Sequence, residues 1–193
     1  MKSAQSTDKI EQVAAQIGGR AENLFLSRQL LCAGAVLTAL NQGLGGGLPP
    51  DVAIRITSGL GNGLGGSGCV CGALSGGVIA LGLFLGDGSP GVPAGKVARK
   101  QANDLHNMFR RRFSSTCCRV LTKNIKTDAK GHYRQCAKFT GEAAEMAARL
   151  ILHQQKQLLP SANRKYLAAR ESVIASQLKK AARLFFPGRG NNI

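Results

Sequence analysis

The feature that most constrains the fold of this chain is an apolar run from Val70 to Gly86, preceded by a glycine-rich loop. The stretch GNGLGGSGCVCGALSGG, Gly61 to Gly77, holds eight glycines and two cysteines in seventeen residues. At seventeen residues the apolar run lies at the lower limit for crossing a bilayer. Neither tryptophan nor a basic cluster flanks it, so it predicts a buried central helix and no transmembrane span.

The rest of the chain also shows helical signals, and no segment alternates polar and apolar residues convincingly. Breaks, caps and apolar spacing predict eight helices. In the first half these are one from Thr7-Asp8 to Gly18-Gly19, one capped by Ser27, a short one from Pro49-Pro50-Asp51, and the apolar one from about 70 to 85. In the second half they are one from Lys96 to Phe113, a short one after Ser114-Ser115, one from Gly131 to about Leu159, and a last one from Pro160-Ser161 to Pro187-Gly188. We therefore predict an all-α, compact helical bundle around the glycine-rich apolar helix, with a basic C-terminal helix.

The glycine-rich loop contains the spacing G-x-G-x-x-G at Gly61, Gly63 and Gly66. A dinucleotide-binding loop with this spacing follows a β-strand, and an acidic residue stands about twenty residues beyond it. Here a helical segment precedes the loop, and Asp87 lies beyond a buried helix. The glycines therefore predict a loop that crosses tightly packed backbone, and no nucleotide site.

The chain has six cysteines and no apolar export signal within residues 1–24. This combination favours redox, metal or cluster chemistry over a framework of structural disulfides, and a cytoplasmic location, with an organelle or a membrane surface as open alternatives. No C-x-x-C-H is present, which excludes covalent haem, and no paired C-x-x-C supports a zinc ribbon.

Four cysteine-bearing segments occur in a specific order: CAGAVLTAL from Cys32, CGALSGGVIALGLFLG from Cys71, FSSTCCRVL around Cys118, and CAKFTGEAAEMA from Cys136. Together they resemble the redox-active family C_GCAxxG_C_C over about residues 20–155. The central C-G-A-x-x-G, with Cys71 at its start, is the most specific part of the resemblance.

The resemblance implies that Cys32, Cys71, Cys118 and Cys136 are the four cofactor-binding and metal-binding cysteines of the family. Cys69 and Cys117 are additional, and the third position stays open between Cys117 and Cys118. Because the family is similar to the cysteine-bearing part of split-Soret cytochromes, the resemblance also implies an iron–sulfur or thiol redox centre without haem.

The residues around Cys71 point to the same chemistry on physical grounds. In the first turn of a helix, free N–H groups and the helix dipole favour a thiolate, which is the species that binds iron or exchanges disulfides. Small residues beside it would let the helix carrying Cys32 or Cys136 approach. Candidates for stabilising anionic sulfur are Arg119, Arg134 and Lys138. His132, four residues before Cys136, is either a ligand, a proton partner or a surface residue.

Charge divides the chain in two. Residues 1–90 carry five Lys/Arg and five Asp/Glu, whereas residues 91–193 carry twenty-one Lys/Arg against five Asp/Glu, a net charge of +16. The predicted C-terminal helix combines an apolar stripe with basic residues, which favours packing or dimerisation for the stripe and an anionic partner, RNA or an acidic protein, for the charge.

Two functional hypotheses follow. In the first, residues 1–19 form an N-terminal helical segment, 20–155 a four-cysteine redox domain that transfers electrons to an unidentified redox partner, and 156–193 a basic extension. In the second, the chain is a non-enzymatic basic subunit of a ribonucleoprotein or membrane-associated complex that keeps the redox fold as a scaffold. Neither hypothesis requires a defined catalyst, since no Ser-His-Asp or paired-carboxylate arrangement stands out.

Overall fold

The computed structural model describes residues 2–90, 95–125, 128–174 and 176. Within these ranges the chain is helical and contains no β-strand, only an isolated antiparallel bridge between Val70 and Cys117. The prediction of an all-α fold is confirmed.

The helices run in the following order: α1 Lys2–Leu26, α2 Cys32–Leu44, α3 Pro50–Thr57, a single turn α4 Gly61–Leu64, α5 Gly72–Leu85, α6 Lys96–Phe113, a single turn α7 Cys118–Leu121, α8 Ala129–Gln154 and α9 Arg164–Ala168. Short 3-10 segments cover Ser58–Leu60, Lys123–Ile125 and Lys156–Leu158. None of these helices is long and apolar enough to cross a membrane.

Helix α5 is the centre of the bundle, because it packs against α2, α6 and α8, while α1 lies along α8 and α2. Its glycines bring neighbouring helices close. A Cβ atom on Gly76 would stand 2.5 Å from the carbonyl oxygen of Ala33 in α2. A Cβ atom on Gly77 would stand 2.8 Å from a methyl group of Leu105 in α6. The predicted arrangement around a glycine-rich apolar helix is confirmed.

Two predicted helix boundaries near the N-terminus are wrong. Gly18-Gly19 does not end the first helix, which continues to Leu26. Gly18 instead allows a close crossing with α8, because its Cβ position lies 3.0 Å from the carbonyl oxygen of Gly141. Ser27 does not cap the second helix, since its hydroxyl donates backward to the carbonyl oxygen of Leu24 and α2 begins at Cys32.

Helix α1 also begins before Thr7, and α8 ends at Gln154 rather than near Leu159. The prediction of one continuous last helix from Pro160-Ser161 is wrong, because α9 begins at Arg164 and the backbone becomes extended at Ala169. Helix α9 carries Arg164 and Lys165 and buries Leu167. Residues 175 and 177–193, which include Leu178, Lys179, Lys180, Ala181, Arg183 and Phe185 of the predicted C-terminal helix, lie outside the described residues. The three predicted segments, 1–19, 20–155 and 156–193, stay predictions.

Candidate functional site

A cavity of about 400 Å³ opens where α2, α5, α7 and α8 meet. Four cysteines line it: Cys32, Cys71, Cys118 and Cys136. Most of the remaining wall is apolar and includes Phe25, Leu31, Leu121 and Phe139. The structure therefore brings to one place the four cysteines that the motifs single out from four separate segments.

Three of the four cysteines lie at helix starts. Cys32 is the first residue of α2, Cys71 immediately precedes α5, and Cys118 is the first residue of α7. Cys136 lies in the second turn of α8. Cys71 is buried, whereas the other three are half-buried.

Glycines clear the space next to two of these cysteines. A Cβ atom on Gly72 would collide with the sulfur of Cys32 and lie 2.7 Å from the carbonyl oxygen of Leu60. Gly63 has a φ of +71°, and a Cβ atom there would lie 2.7 Å from the Cβ atom of Cys118. The glycine-rich loop, which a helix precedes, therefore makes room for cysteine side chains at both of its ends.

Burial raises the pKa of the Cys71 and Cys136 thiols to about 12, and it also raises the pKa values of Cys32 and Cys118. Repulsion from other thiols of the group contributes to the raised pKa values of Cys32, Cys71 and Cys136, and repulsion from Cys117 contributes to that of Cys118. The prediction that the helix start favours a thiolate at Cys71 is wrong for the protein alone. The N–H groups of Ala73 and Leu74 do lower the pKa of Cys71, but desolvation has the larger effect.

The basic side chains expected to stabilise anionic sulfur have other neighbours. The Arg119 guanidinium lines the cavity but donates to the carbonyl oxygen of Ser67 at 2.7 Å. Lys138 pairs with Glu142 at 3.9 Å, and Arg134 borders a separate, smaller cavity. His132 lines the four-cysteine cavity, so its role as a ligand or proton partner stays a prediction.

The two additional cysteines lie beside the cavity without lining it. Cys69 is exposed, and Cys117 is half-buried with its thiol donating to the carbonyl oxygen of Gly68 at 3.2 Å. The sequence leaves the third position open between Cys117 and Cys118, and the structure places Cys118 in the cavity wall.

The arrangement of the thiols limits which metal group they can hold. In the part of the chain that the structure describes, no three His, Cys, Asp or Glu side chains are gathered closely enough to bind one metal ion. A single ion needs all its ligand atoms within about 2.3 Å of one point. A cluster of several iron atoms spreads its four cysteine ligands over its corners. The four cysteines that line the cavity match the donor set of such a cluster in ligand type and number.

The raised thiol pKa values predict a stability loss at high pH for the metal-free protein. An unfolded Cys71 loses its proton near pH 9, whereas the folded thiol keeps its proton up to about pH 12. As the pH rises above 9, deprotonation therefore stabilises the unfolded state before it occurs in the folded state. The free energy of unfolding falls by up to about 4 kcal/mol between pH 9 and pH 12. Urea unfolding at a series of pH values measures this slope. A Cys71→Ala variant should show a shallower slope, and parallel curves for the two proteins would contradict the expectation.

Only part of residues 91–193, which carry the net positive charge, lies within the described residues. In the run Arg110–Arg112, the guanidinium of Arg112 makes a two-pronged contact with the carboxylate of Glu142 at 2.6 and 2.9 Å. The Arg112 side chain therefore forms an ion pair within the chain. The RNA or acidic protein partner and the dimer stay predictions, since they depend largely on the C-terminal residues.

Comparison with known proteins adds one finding. Residues 30–150 match the family described as "Putative redox-active protein (C_GCAxxG_C_C)", a range that includes all six cysteines. No curated protein and no solved structure matches the chain.

Proposed function

The chain belongs to the C_GCAxxG_C_C family of redox-active proteins, and from that premise we propose that it transfers electrons through one iron–sulfur centre held by Cys32, Cys71, Cys118 and Cys136. The observation that carries the proposal is the cavity of about 400 Å³ lined by these four cysteines from four separate segments of the chain. Four cysteines are the usual ligand set of iron–sulfur clusters.

The raised pKa values of Cys71 and Cys136 disfavour these two thiols as nucleophiles in thiol–disulfide exchange. The nucleophile in exchange is the thiolate, and a thiol whose pKa is raised to about 12, as at Cys71 and Cys136, provides little of it at neutral pH. When bound, iron would supply the positive charge that keeps these sulfur atoms deprotonated, together with a one-electron redox couple.

The chain's own residues provide the enclosure that such a centre needs. Phe25 stacks on Tyr133 with ring centroids 4.7 Å apart, and the Tyr133 hydroxyl donates to the carbonyl oxygen of Phe25. This contact joins the end of α1 to α8 beside the cavity. Together with Phe139 it forms an aromatic side of the cavity wall, and the apolar surroundings of a cluster tune its reduction potential.

Anaerobic purification tests the proposal directly. We expect a brown protein that contains iron and acid-labile sulfide, absorbs visible light and bleaches when dithionite reduces it. A chelator-treated sample is the control for iron bound adventitiously at the surface. A colourless protein that gains no iron or sulfide on anaerobic reconstitution, and whose four thiols are alkylated only after unfolding, would overturn the cluster. The four cysteines would then form a thiol-based centre.

A further inference from the structure

The cavity adjoins a short antiparallel contact between residues 69–71 and 116–118. Val70 and Cys117 form its bridged pair. The N–H of Cys71 donates to the carbonyl oxygen of Thr116 at 2.8 Å, and the N–H of Cys118 donates to the carbonyl oxygen of Cys69 at 2.5 Å. In this register Cys69 and Cys118 lie directly opposite one another, as the residue pair next to the bridged pair Val70 and Cys117.

Opposite residues in an antiparallel register come within the Cα–Cα span of a disulfide. Their Cα atoms are about 5.5 Å apart in antiparallel pairs that share a hydrogen bond, and disulfides span about 4.4–6.8 Å between Cα atoms. Residues opposite each other also project to the same face, whereas successive residues alternate. Cys117 is the bridged residue, and its thiol donates to the carbonyl oxygen of Gly68.

The two opposite cysteines differ in their surroundings. Cys69 is exposed and lies outside the cavity, whereas Cys118 is half-buried in the cavity wall. A small oxidant in solution therefore reaches Cys69 first. A bond from Cys69 to Cys118 would occupy the sulfur that Cys118 otherwise presents to the cavity.

We propose that Cys69 and Cys118 form a reversible disulfide in the presence of a low-molecular-weight disulfide such as oxidised glutathione. The Cys69 thiolate attacks one sulfur of the reagent, forms a mixed disulfide and releases one reduced thiol. The Cys118 thiolate then attacks the Cys69 sulfur and releases the second reduced thiol. Two protein thiols are oxidised, one reagent disulfide is reduced, and the two protons end on the two released thiols.

The consequence for the centre rests on the proposed function. A Cys118 sulfur bonded to Cys69 is no longer a thiolate ligand, so the oxidised protein keeps only three of its four cysteine ligands. The disulfide would thus release or destabilise bound iron when the surroundings become oxidising, and reduction would restore the ligand set.

Alkylation and mass spectrometry of the protein, before and after equilibration with oxidised glutathione, test the pair. Neighbouring cysteines share proteolytic peptides, so single variants assign the link. We expect one internal disulfide, shown by the loss of two alkylatable thiols, in the unsubstituted protein and in Cys117→Ser. We expect it to be absent from Cys69→Ser and Cys118→Ser. An internal disulfide that persists in Cys69→Ser, or none in the unsubstituted protein, would overturn the proposal.

Iron measured on the same samples separates this proposal from the previous one. If the protein holds iron, oxidation should lower its iron content at least tenfold in the unsubstituted chain and leave it unchanged in Cys69→Ser. If the protein retained its iron with the Cys69–Cys118 disulfide fully formed, the claim that the disulfide removes Cys118 from the ligand set would be overturned. A protein that never binds iron but forms the Cys69–Cys118 link would overturn the iron–sulfur centre and support the disulfide.

Discussion

Replacing Gly76 with alanine is expected to lower the free energy of unfolding by about 3 kcal/mol, which is large against a typical total of about 5–15 kcal/mol. A Cβ atom at this position would lie 2.5 Å from the carbonyl oxygen and 2.9 Å from the Cα atom of Ala33. Both are backbone atoms of α2 and cannot rotate away as a side chain would. Helices α2 and α5 would have to separate, and the packing between them would be lost.

Gly82 provides the matched control on the same helix. It is exposed, and a Cβ atom there would meet nothing within 4 Å. Gly82→Ala should therefore stabilise the protein by about 1 kcal/mol, because alanine has the higher helix propensity. Urea unfolding of the metal-free proteins gives both values. Equal changes for the two variants would mean that α2 and α5 do not cross closely at Gly76.

The sequence predicted the helical class and several helix boundaries because their signals are local. Helix α3 begins at Pro50, as a proline in the first turn indicates, and α6 spans Lys96–Phe113 as its apolar spacing predicted. Gly18-Gly19 failed as a terminator because Gly18 serves a contact with Gly141, more than a hundred residues away. A local pattern cannot distinguish a glycine that ends a helix from one that lets two helices touch.

The same distinction applies to the candidate site. The motifs named Cys32, Cys71, Cys118 and Cys136, and these four cysteines line one cavity. The direction of the thiol pKa values was not predictable, because the helix start is visible in the sequence whereas the desolvation of Cys71 depends on the whole bundle. The register that sets Cys69 opposite Cys118 also arises from a contact between distant segments.

Replacing Cys71 with serine is expected to reduce bound iron at least tenfold, since even residues that only support metal ligands change affinity by about 10–100-fold. Serine keeps the size of the side chain but replaces the thiolate with a hydroxyl that stays protonated and binds iron weakly. Cys71 is the buried member of the four, so solvent ligands have the least access to the position that it would vacate.

Cys117→Ser is the matched control, because it makes the same atomic change beside Cys118 in a half-buried side chain that does not line the cavity. The measurement is iron and acid-labile sulfide per chain after identical anaerobic reconstitution, with circular dichroism to show that each variant keeps its helices. Iron should be lost from each of the four single variants Cys32→Ser, Cys71→Ser, Cys118→Ser and Cys136→Ser, whereas Cys117→Ser should retain it. Iron that survives any of the four changes but disappears from Cys117→Ser would assign the centre to the other face of the Val70–Cys117 bridge, since adjacent residues there point in opposite directions.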